Sequence, residues 1–251
     1  DVVRGKEKTL HCNVELGCAT MVAIKMAVDS YRQSKTLLWD AAAEKVVEAI
    51  HDIYPDAPIY TSYISDEWRN KFKSADIRTG FLQKYPNLRK YLPFARQWWF
   101  SHLDLNEFDV IISSSGAEAK GVRKSREDQI HINYCHAPTH YYWSRYDSYL
   151  KNPGFGKLNW LARVGLKVLV GPMRKWDYRA AQGPDIMVAN SSHIANEIKK
   201  YYGRDSVVIH PPVDIDRFIT KSEQDRSGYI ITGRQVPYKR IDLAIATCNE
   251  L

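Results

Sequence analysis

The chain has 251 residues, of which 44% are hydrophobic and 12% aromatic; this supports a sizeable core and excludes an intrinsically disordered protein. No apolar run reaches the roughly 18–20 residues of a membrane-spanning helix, and the first residues lack the basic start and apolar centre of a signal peptide. We therefore expect a cytoplasmic protein. The net charge is +7. The four cysteines fit no zinc-binding spacing and are expected to be unpaired thiols.

The first half of the chain alternates predicted strands and helices. Met21–Val28 has the composition of a buried strand, and Asp40 is placed to cap a helix from Ala41 to about Ile53. The segment between them, Asp29–Trp39, is interpreted as a long polar connection. The remaining predicted elements are strands at Ile59–Ser62, Ile77–Leu82 and Phe108–Ser115, and a helix over Asn87–His102 with an interruption at Pro93.

The second half continues the alternation and then leaves it at a double proline. The predicted elements are a strand at Gln129–Cys135, a helical stretch Lys157–Ala181 with a break at Gly171-Pro172, a strand at Asp185–Asn190 buried on both faces, a helix from Ser191-Ser192 to Tyr202 ended by Gly203, and a buried strand at Val207–Ile209. Pro211-Pro212 cannot continue a central strand. Strands alternating with helices predict a Rossmann-like, doubly wound parallel sheet with its ligands beyond the carboxyl ends of the strands.

Most of the positive charge lies between Tyr141 and Arg179, a window with eight basic residues, two acidic ones and nine aromatic ones. Basic and aromatic residues interleaved in this way are typical of a surface that contacts a membrane. The alternative is a solvated helix whose aromatic side packs on its own domain. Nucleic acid is not expected, because no recognised binding motif accompanies the charge. The residues predicted to contact the membrane are Trp160, Lys167, Arg174, Lys175 and Trp176.

Two further places have the chemistry of a binding site. Gly233 and Arg234 follow the strand Tyr229–Thr232, and Lys239 comes five residues later, so backbone N–H groups and cations can converge on one anion such as a diphosphate. His136 stands at the end of a predicted strand, where a parallel sheet opens onto its crevice. A basic surface loop and a structural histidine are the respective alternatives.

Three segments together resemble a known family. They are VANSSHIANEIKKYYGRDSVVIHPPVDIDRF before and across the double proline, GYIITGRQVPYKRIDLAIATCNEL after it, and FDVIISSSGAEAKGV with INYCHAPTHYYWSRY upstream. They resemble family 4 retaining glycosyltransferases, which have the two-Rossmann-domain GT-B fold, over roughly residues 40–251. The resemblance implies that Gly233, Arg234 and Lys239 bind the donor diphosphate and that His136 lines the acceptor side of the donor sugar as the catalytic residue. The residues expected beside it are Ser115, Gly116, His140, Tyr142 and Trp143.

The chain also departs from the family pattern. Asp40-Ala41-Ala42-Ala43-Glu44 stands where family members usually place a Gly-Gly pair, and alanine blocks the close backbone approach that glycine permits. The family's pair of donor-binding glutamates is absent before Leu251. We expect an unassigned segment over 1–20, an acceptor-side domain over 21–212, and the junction and incomplete start of the donor-binding domain over 213–251. Such a fragment alone is expected to be inactive.

The function expected from the resemblance is transfer of a hexose with retention, without a metal ion or cofactor, from a nucleotide diphosphate sugar. Mannose from GDP-mannose is the first candidate for the donor. The expected acceptor is a lipid-linked glycan or another polysaccharide precursor at the inner face of the cell membrane. A non-catalytic Rossmann-like binding module is the alternative, and a nucleotide-sugar epimerase is a more distant one.

Overall fold

A computed structural model describes residues 35–39, 44–85, 93–153, 156–212 and 241–250. Seven parallel strands form one sheet in the order β3-β2-β1-β4-β5-β6-β7. The strands are β1 (Lys35–Trp39), β2 (Ile59–Thr61), β3 (Ile77–Thr79), β4 (Val110–Ser114), β5 (Ile130–Cys135), β6 (Ile186–Ala189) and β7 (Val207–Val208). The predicted Rossmann-like parallel sheet is confirmed.

Helices cover both faces of this sheet. The α-helices are α1 (Glu44–Ile53), α2 (Asp66–Lys71), α3 (Pro93–Ser101), α4 (Tyr146–Lys151), α5 (Asn159–Gln182), α6 (Ser192–Tyr202) and α7 (Ile241–Glu250), and single 3₁₀ turns occupy Phe81–Gln83, Glu118–Gly121 and Gly156–Leu158. Coverage of both faces by helices is typical of parallel sheets in α/β proteins.

Strand β4 shows how the core divides between the two faces. Val110 and Ile112 point to the layer that contains α1, where they pack in one cluster with Val46 and Ile50. Ile111 points the other way and packs in a second cluster with Phe100 of α3 and its neighbours. All five residues of β4 are buried, which explains why the strand could be recognised from its sequence.

Helix α6 begins and ends where its sequence predicts. The Ser191 side chain accepts a hydrogen bond from the Ile194 backbone N–H at 3.3 Å, which caps the first turn. Gly203 follows the last turn with φ at 70°, a left-handed conformation that glycine adopts without a steric penalty.

The first strand that the structure describes lies in a segment where the sequence pattern predicted none. The segment interpreted as a polar connection contains β1, which pairs with β2 and β4, so that Leu37 lies opposite both Ile59 and Ile112. Only LLW in this strand is apolar, and pairing on both sides outweighs the weak pattern. The predicted strand Met21–Val28, the residues 40–43 and the segment 1–20 lie outside the described residues.

In α3, Pro93 is the first described residue, a position where its missing N–H costs nothing, and residues 87–92 of the predicted helix lie outside the described residues. Two other expectations need correction. Strand β3 ends at Thr79, before the 3₁₀ turn. Strand β7 has two residues and lies at the sheet edge, so Val207 is 58% exposed instead of buried.

Helix α5 continues through Gly171-Pro172 without the predicted break. Proline removes the hydrogen bond to the carbonyl four residues earlier, which here belongs to Val168. Both residues lie on the exposed side of the helix, where water can hydrate that carbonyl. Among the helices that the structure describes, none is both long and apolar enough to cross a membrane.

The left-handed cap at Gly203 gives a direct stability test. Gly203→Ala should lower the free energy of unfolding by about 1 kcal/mol, because a Cβ is disfavoured at this φ. Gly165→Ala in α5 is the matched control, since a Cβ there meets open space and should raise stability by about 0.5–1 kcal/mol. Urea titration of both variants measures the difference, and equal stabilities would contradict the assigned cap.

Candidate functional site

Strands β1 and β4 lie side by side at the centre of the sheet, and successive strands are added on one side of this pair up to β3 and on the other side from β4 onward, so the strand order reverses here. Ligands of doubly wound folds bind at this point, beyond the carboxyl ends of the strands. Trp39 and Ser114 are the paired last residues of the two strands, and Ser115 and Gly116 follow directly. The carboxyl end of β5, which leads to His136, lies next to β4.

Gly116 lets the loops after β4 and β5 touch. A Cβ on Gly116 would lie 2.1 Å from the backbone oxygen of Ala137, so no larger residue fits there without moving the backbone. The family resemblance implies that Ser115 and Gly116 lie beside the sugar. The structure shows that the space beside Gly116 is taken by the neighbouring loop, and Ser115 is buried beside it.

His136 is held at the crevice by hydrogen bonds from two directions. Its Nε2 lies 2.9 Å from the Ser114 hydroxyl, and its backbone carbonyl accepts a hydrogen bond of 2.9 Å from the Asn190 side chain. Burial lowers the pKa of His136 to about 4. The imidazole is therefore neutral near pH 7 and acts there as a hydrogen-bonding group and not as a cation.

His140 lies four residues further along the same loop and is half-buried. Its Nδ1 is 3.1 Å from the Ser144 hydroxyl, so the ring is oriented within the turn that precedes α4. Burial, and secondarily the nearby Arg145, lowers the pKa of His140. The structure thus places both predicted histidines on one loop, with His136 nearer to β4.

Tyr142 and Trp143 make contacts with α5 and α6. Tyr142 is buried, and Arg174 of α5 donates a hydrogen bond of 2.6 Å to its backbone carbonyl. Trp143 stacks on Tyr201 of α6 at 5.2 Å between ring centroids, and its Nε1 donates to the carboxylate of Asp177 at 2.7 Å. Tyr142 is buried and Trp143 is partly buried, and these contacts hold the loop that contains the histidines.

A buried ion pair lies beneath these loops, and the sequence analysis did not identify it. Lys120 Nζ is 2.6 Å from Asp177 Oδ1, and both side chains are 0% exposed. Lys120 also donates to the Gly116 carbonyl at 2.8 Å and to the Tyr202 hydroxyl at 3.0 Å. The available signal was that Asp177 is the only acidic residue in the basic helix α5.

The second oxygen of Asp177 completes the network. Tyr202 and Trp143 each donate to Oδ2 at 2.7 Å. The Thr139 hydroxyl lies 2.8 Å from Asp177 Oδ1 and 3.0 Å from the Gly116 carbonyl, so it can donate to one of the two at a time. The ion pair therefore joins the loops after β4 and β5 to α5 and α6.

A sequence model of the family described as Glycosyltransferase Family 4 matches residues 57–217, nearly two thirds of the chain. This chain belongs to Glycosyltransferase Family 4. The match begins just before β2, passes through β7, and includes both histidines and the buried ion pair. Comparisons with curated proteins and with solved structures gave no significant match.

Membership in this family makes a sugar-transfer reaction, with a nucleotide-sugar donor and an acceptor, the relevant chemistry. Gly233, Arg234 and Lys239, the residues predicted to bind the diphosphate, lie outside both the matched segment and the described residues. Within the described ranges, no cluster of three His, Cys, Asp or Glu side chains could hold a metal ion.

The basic window of this family 4 chain divides into two parts. Trp160, Lys167 and Lys175 are exposed on α5. Trp176 is not available to enter a membrane, because its ring packs against Gly121, where an added Cβ would lie 2.7 Å from it. Arg174 is engaged with the Tyr142 carbonyl and lies over the ring of Trp143, so it supports the loop instead of a surface contact.

The buried ion pair predicts a large loss of stability when one partner is removed. Lys120→Met leaves the Asp177 carboxylate buried without its counter-charge and should cost about 3–5 kcal/mol in urea unfolding. Lys124→Met removes a lysine from a more exposed pair with Asp185 and should cost less than about 1 kcal/mol.

A double variant separates the charge effect from the loss of side-chain volume. Lys120→Met combined with Asp177→Asn should be destabilised by clearly less than the sum of the two single variants, because no unpaired charge remains. Equal costs for Lys120→Met and Lys124→Met would contradict the central place of the buried pair.

Proposed function

We propose that this chain forms the acceptor-side domain of a retaining, metal-independent glycosyltransferase that moves a hexose from a nucleotide diphosphate sugar. The single observation that supports the proposal most is the position of His136. A neutral imidazole lies at the carboxyl edge of the sheet beside the switch point between β1 and β4; its ring is hydrogen-bonded to Ser114, and its backbone carbonyl accepts a hydrogen bond from Asn190.

In this proposal one part of the chain contacts the sugar of the donor and the other contacts its diphosphate. His136 exchanges a hydrogen bond with a hydroxyl of the transferred sugar and so orients the reacting carbon toward the acceptor. Arg234 and Lys239 neutralise the charge that grows on the diphosphate as the sugar bond breaks. Because fixed cations perform this task, no metal ion is required to stabilise the leaving group.

The specific substrates are proposed from the resemblance of the junction and loop sequences. Mannose from GDP-mannose is the first donor to test. The acceptor is proposed to be a polyprenyl-diphosphate-linked glycan, or another lipid-anchored precursor of a surface polysaccharide, used at the cytoplasmic face of the membrane. The proposed domain division is 21–212 for the acceptor side, with 213–251 beginning the donor side.

Substitutions at the three proposed donor contacts should reduce transfer when they are assayed with a complete donor-binding domain. Arg234→Ala and Lys239→Ala should each lower turnover by roughly 10²–10³-fold, the effect of removing one preorganised electrostatic group. His136→Ala should lower it by about tenfold, the value of one neutral hydrogen bond. Release of nucleoside diphosphate measures the rates.

Matched controls are available on exposed surfaces away from the crevice. His102→Ala at the end of α3 and Lys199→Ala in α6 should keep wild-type turnover. Wild-type rates in Arg234→Ala and Lys239→Ala would contradict the diphosphate role. Transfer by residues 1–251 alone would contradict the proposed need for a complete donor domain, and a bound donor that is never transferred would favour a non-catalytic binding module.

The proposed metal independence has its own test. A chelator such as EDTA should leave the rate of sugar transfer unchanged, because the diphosphate is neutralised by side chains. Loss of transfer in EDTA, restored by Mg²⁺ or Mn²⁺, would instead indicate a metal-bridged diphosphate. A mock-treated sample carried through the same buffer exchange serves as the control.

A further inference from the structure

The first half of α5 presents apolar side chains to solvent. Trp160 is 63% exposed and Val168 68%, and Val164 lies between them at the same four-residue spacing. Residues four apart lie on one face of a helix, so these three form a continuous stripe, with Leu161 beside it. A row of this kind differs from the isolated exposed apolar residues that are normal on soluble proteins.

Cations lie beside the stripe, and α5 itself has no exposed acidic residue. Lys167 is three positions after Val164, and Lys175 is seven positions after Val168, so both lie near the stripe on the exposed side. The only carboxylate of α5 is Asp177, which is buried and paired with Lys120. The exposed side of this helix is therefore apolar with a positive margin.

The helix is also connected to the crevice. Arg163 donates hydrogen bonds to the backbone carbonyls of Leu150 at 3.1 Å and Lys151 at 2.9 Å, which fastens the start of α5 to the end of α4. Helix α4 in turn ends the loop that begins at His136. A partner surface bound to this stripe would therefore lie close to the loop that runs from His136 to α4.

We infer that the stripe Trp160, Leu161, Val164 and Val168 inserts into an anionic lipid surface, with Lys167 and Lys175 at the level of the headgroups. The apolar width and basic margin match an interfacial helix, which lies in the membrane plane and is held by buried apolar area together with attraction to anionic lipids. The reason for such docking rests on the proposed lipid-linked acceptor, whereas the docking itself can be measured without any sugar.

The test is co-sedimentation of the 251-residue chain with vesicles of phosphatidylglycerol and phosphatidylcholine, and with vesicles of phosphatidylcholine alone. The wild-type chain should bind the anionic vesicles at low salt and be released as salt rises. Lys167→Gln with Lys175→Gln should weaken this binding roughly 30-fold, the effect of losing two cations at an anionic surface.

The apolar stripe has a variant and a matched control. Trp160→Gln with Val164→Gln and Val168→Gln should abolish binding, whereas Phe94→Gln with Trp98→Gln, which removes similarly exposed apolar side chains from α3, should leave it intact. Circular dichroism confirms that each variant is folded. Trp160→Phe should still bind but lose most of the fluorescence quenching that brominated lipid causes in the wild-type chain.

Three results would overturn the inference. These are a wild-type chain that stays in the supernatant at low salt, equal losses in the α5 and α3 variants, and a dimer that the stripe variant converts to a monomer without any vesicle binding. None of these depends on transfer activity, so failure here is distinct from failure of the proposed function. In the same way, His136→Ala should bind vesicles like the wild-type chain.

Discussion

The buried ion pair between Lys120 and Asp177 is the constraint on which the crevice depends. Desolvating two charges is costly, and the cost is offset only where the remaining hydrogen-bonding positions are also filled. Here the lysine reaches a backbone carbonyl and a tyrosine hydroxyl, and the carboxylate accepts from Trp143 and Tyr202. The network can exist only when four segments, two loops and two helices, are in place together.

That requirement explains how a loop site can be held in place. Gly116 is fixed from below by the ammonium group of Lys120 and from the side by contact with Ala137. Ala137 directly follows His136 in the chain. The ion pair therefore fixes the backbone at Gly116 and Ala137, and this in turn fixes the position of the His136 imidazole. The neutral state of His136 follows from the same burial, because a charged ring would be poorly solvated there.

Elements with a strong local signal could be predicted from the sequence. Strand β4 is a short apolar run ended by serines, and α6 has a serine before it and a left-handed glycine after it, so hydrophobic pattern and caps agree. Strand β1 could not be found in this way, because the pairing of KTLLW with β2 and β4 is a property of the folded sheet and not of the five residues.

The candidate site was predictable only in part, for a related reason. Its strand-end position singled out His136, and the structure places that residue beside the reversal point of the sheet. The direction of Trp143 was not predictable, because it depends on Asp177, which is 34 residues from Trp143 in the chain. Pairing of an acid with a lysine 57 residues away leaves no periodic pattern to read.

Helix α5 reverses the usual distribution of polar and apolar residues. One cause explains both the buried acid in its second half and the exposed apolar residues in its first half. Its second half buries a carboxylate, Asp177, between Met173 and Ala181, while its first half exposes tryptophan and valines. In an ordinary amphipathic helix the apolar stripe faces the core and the charged residues face water. Here the fold requires the buried acid as the partner of Lys120, which determines the face that turns inward. The apolar stripe therefore faces outward. An additional apolar partner, such as the proposed lipid surface, would remove these side chains from water.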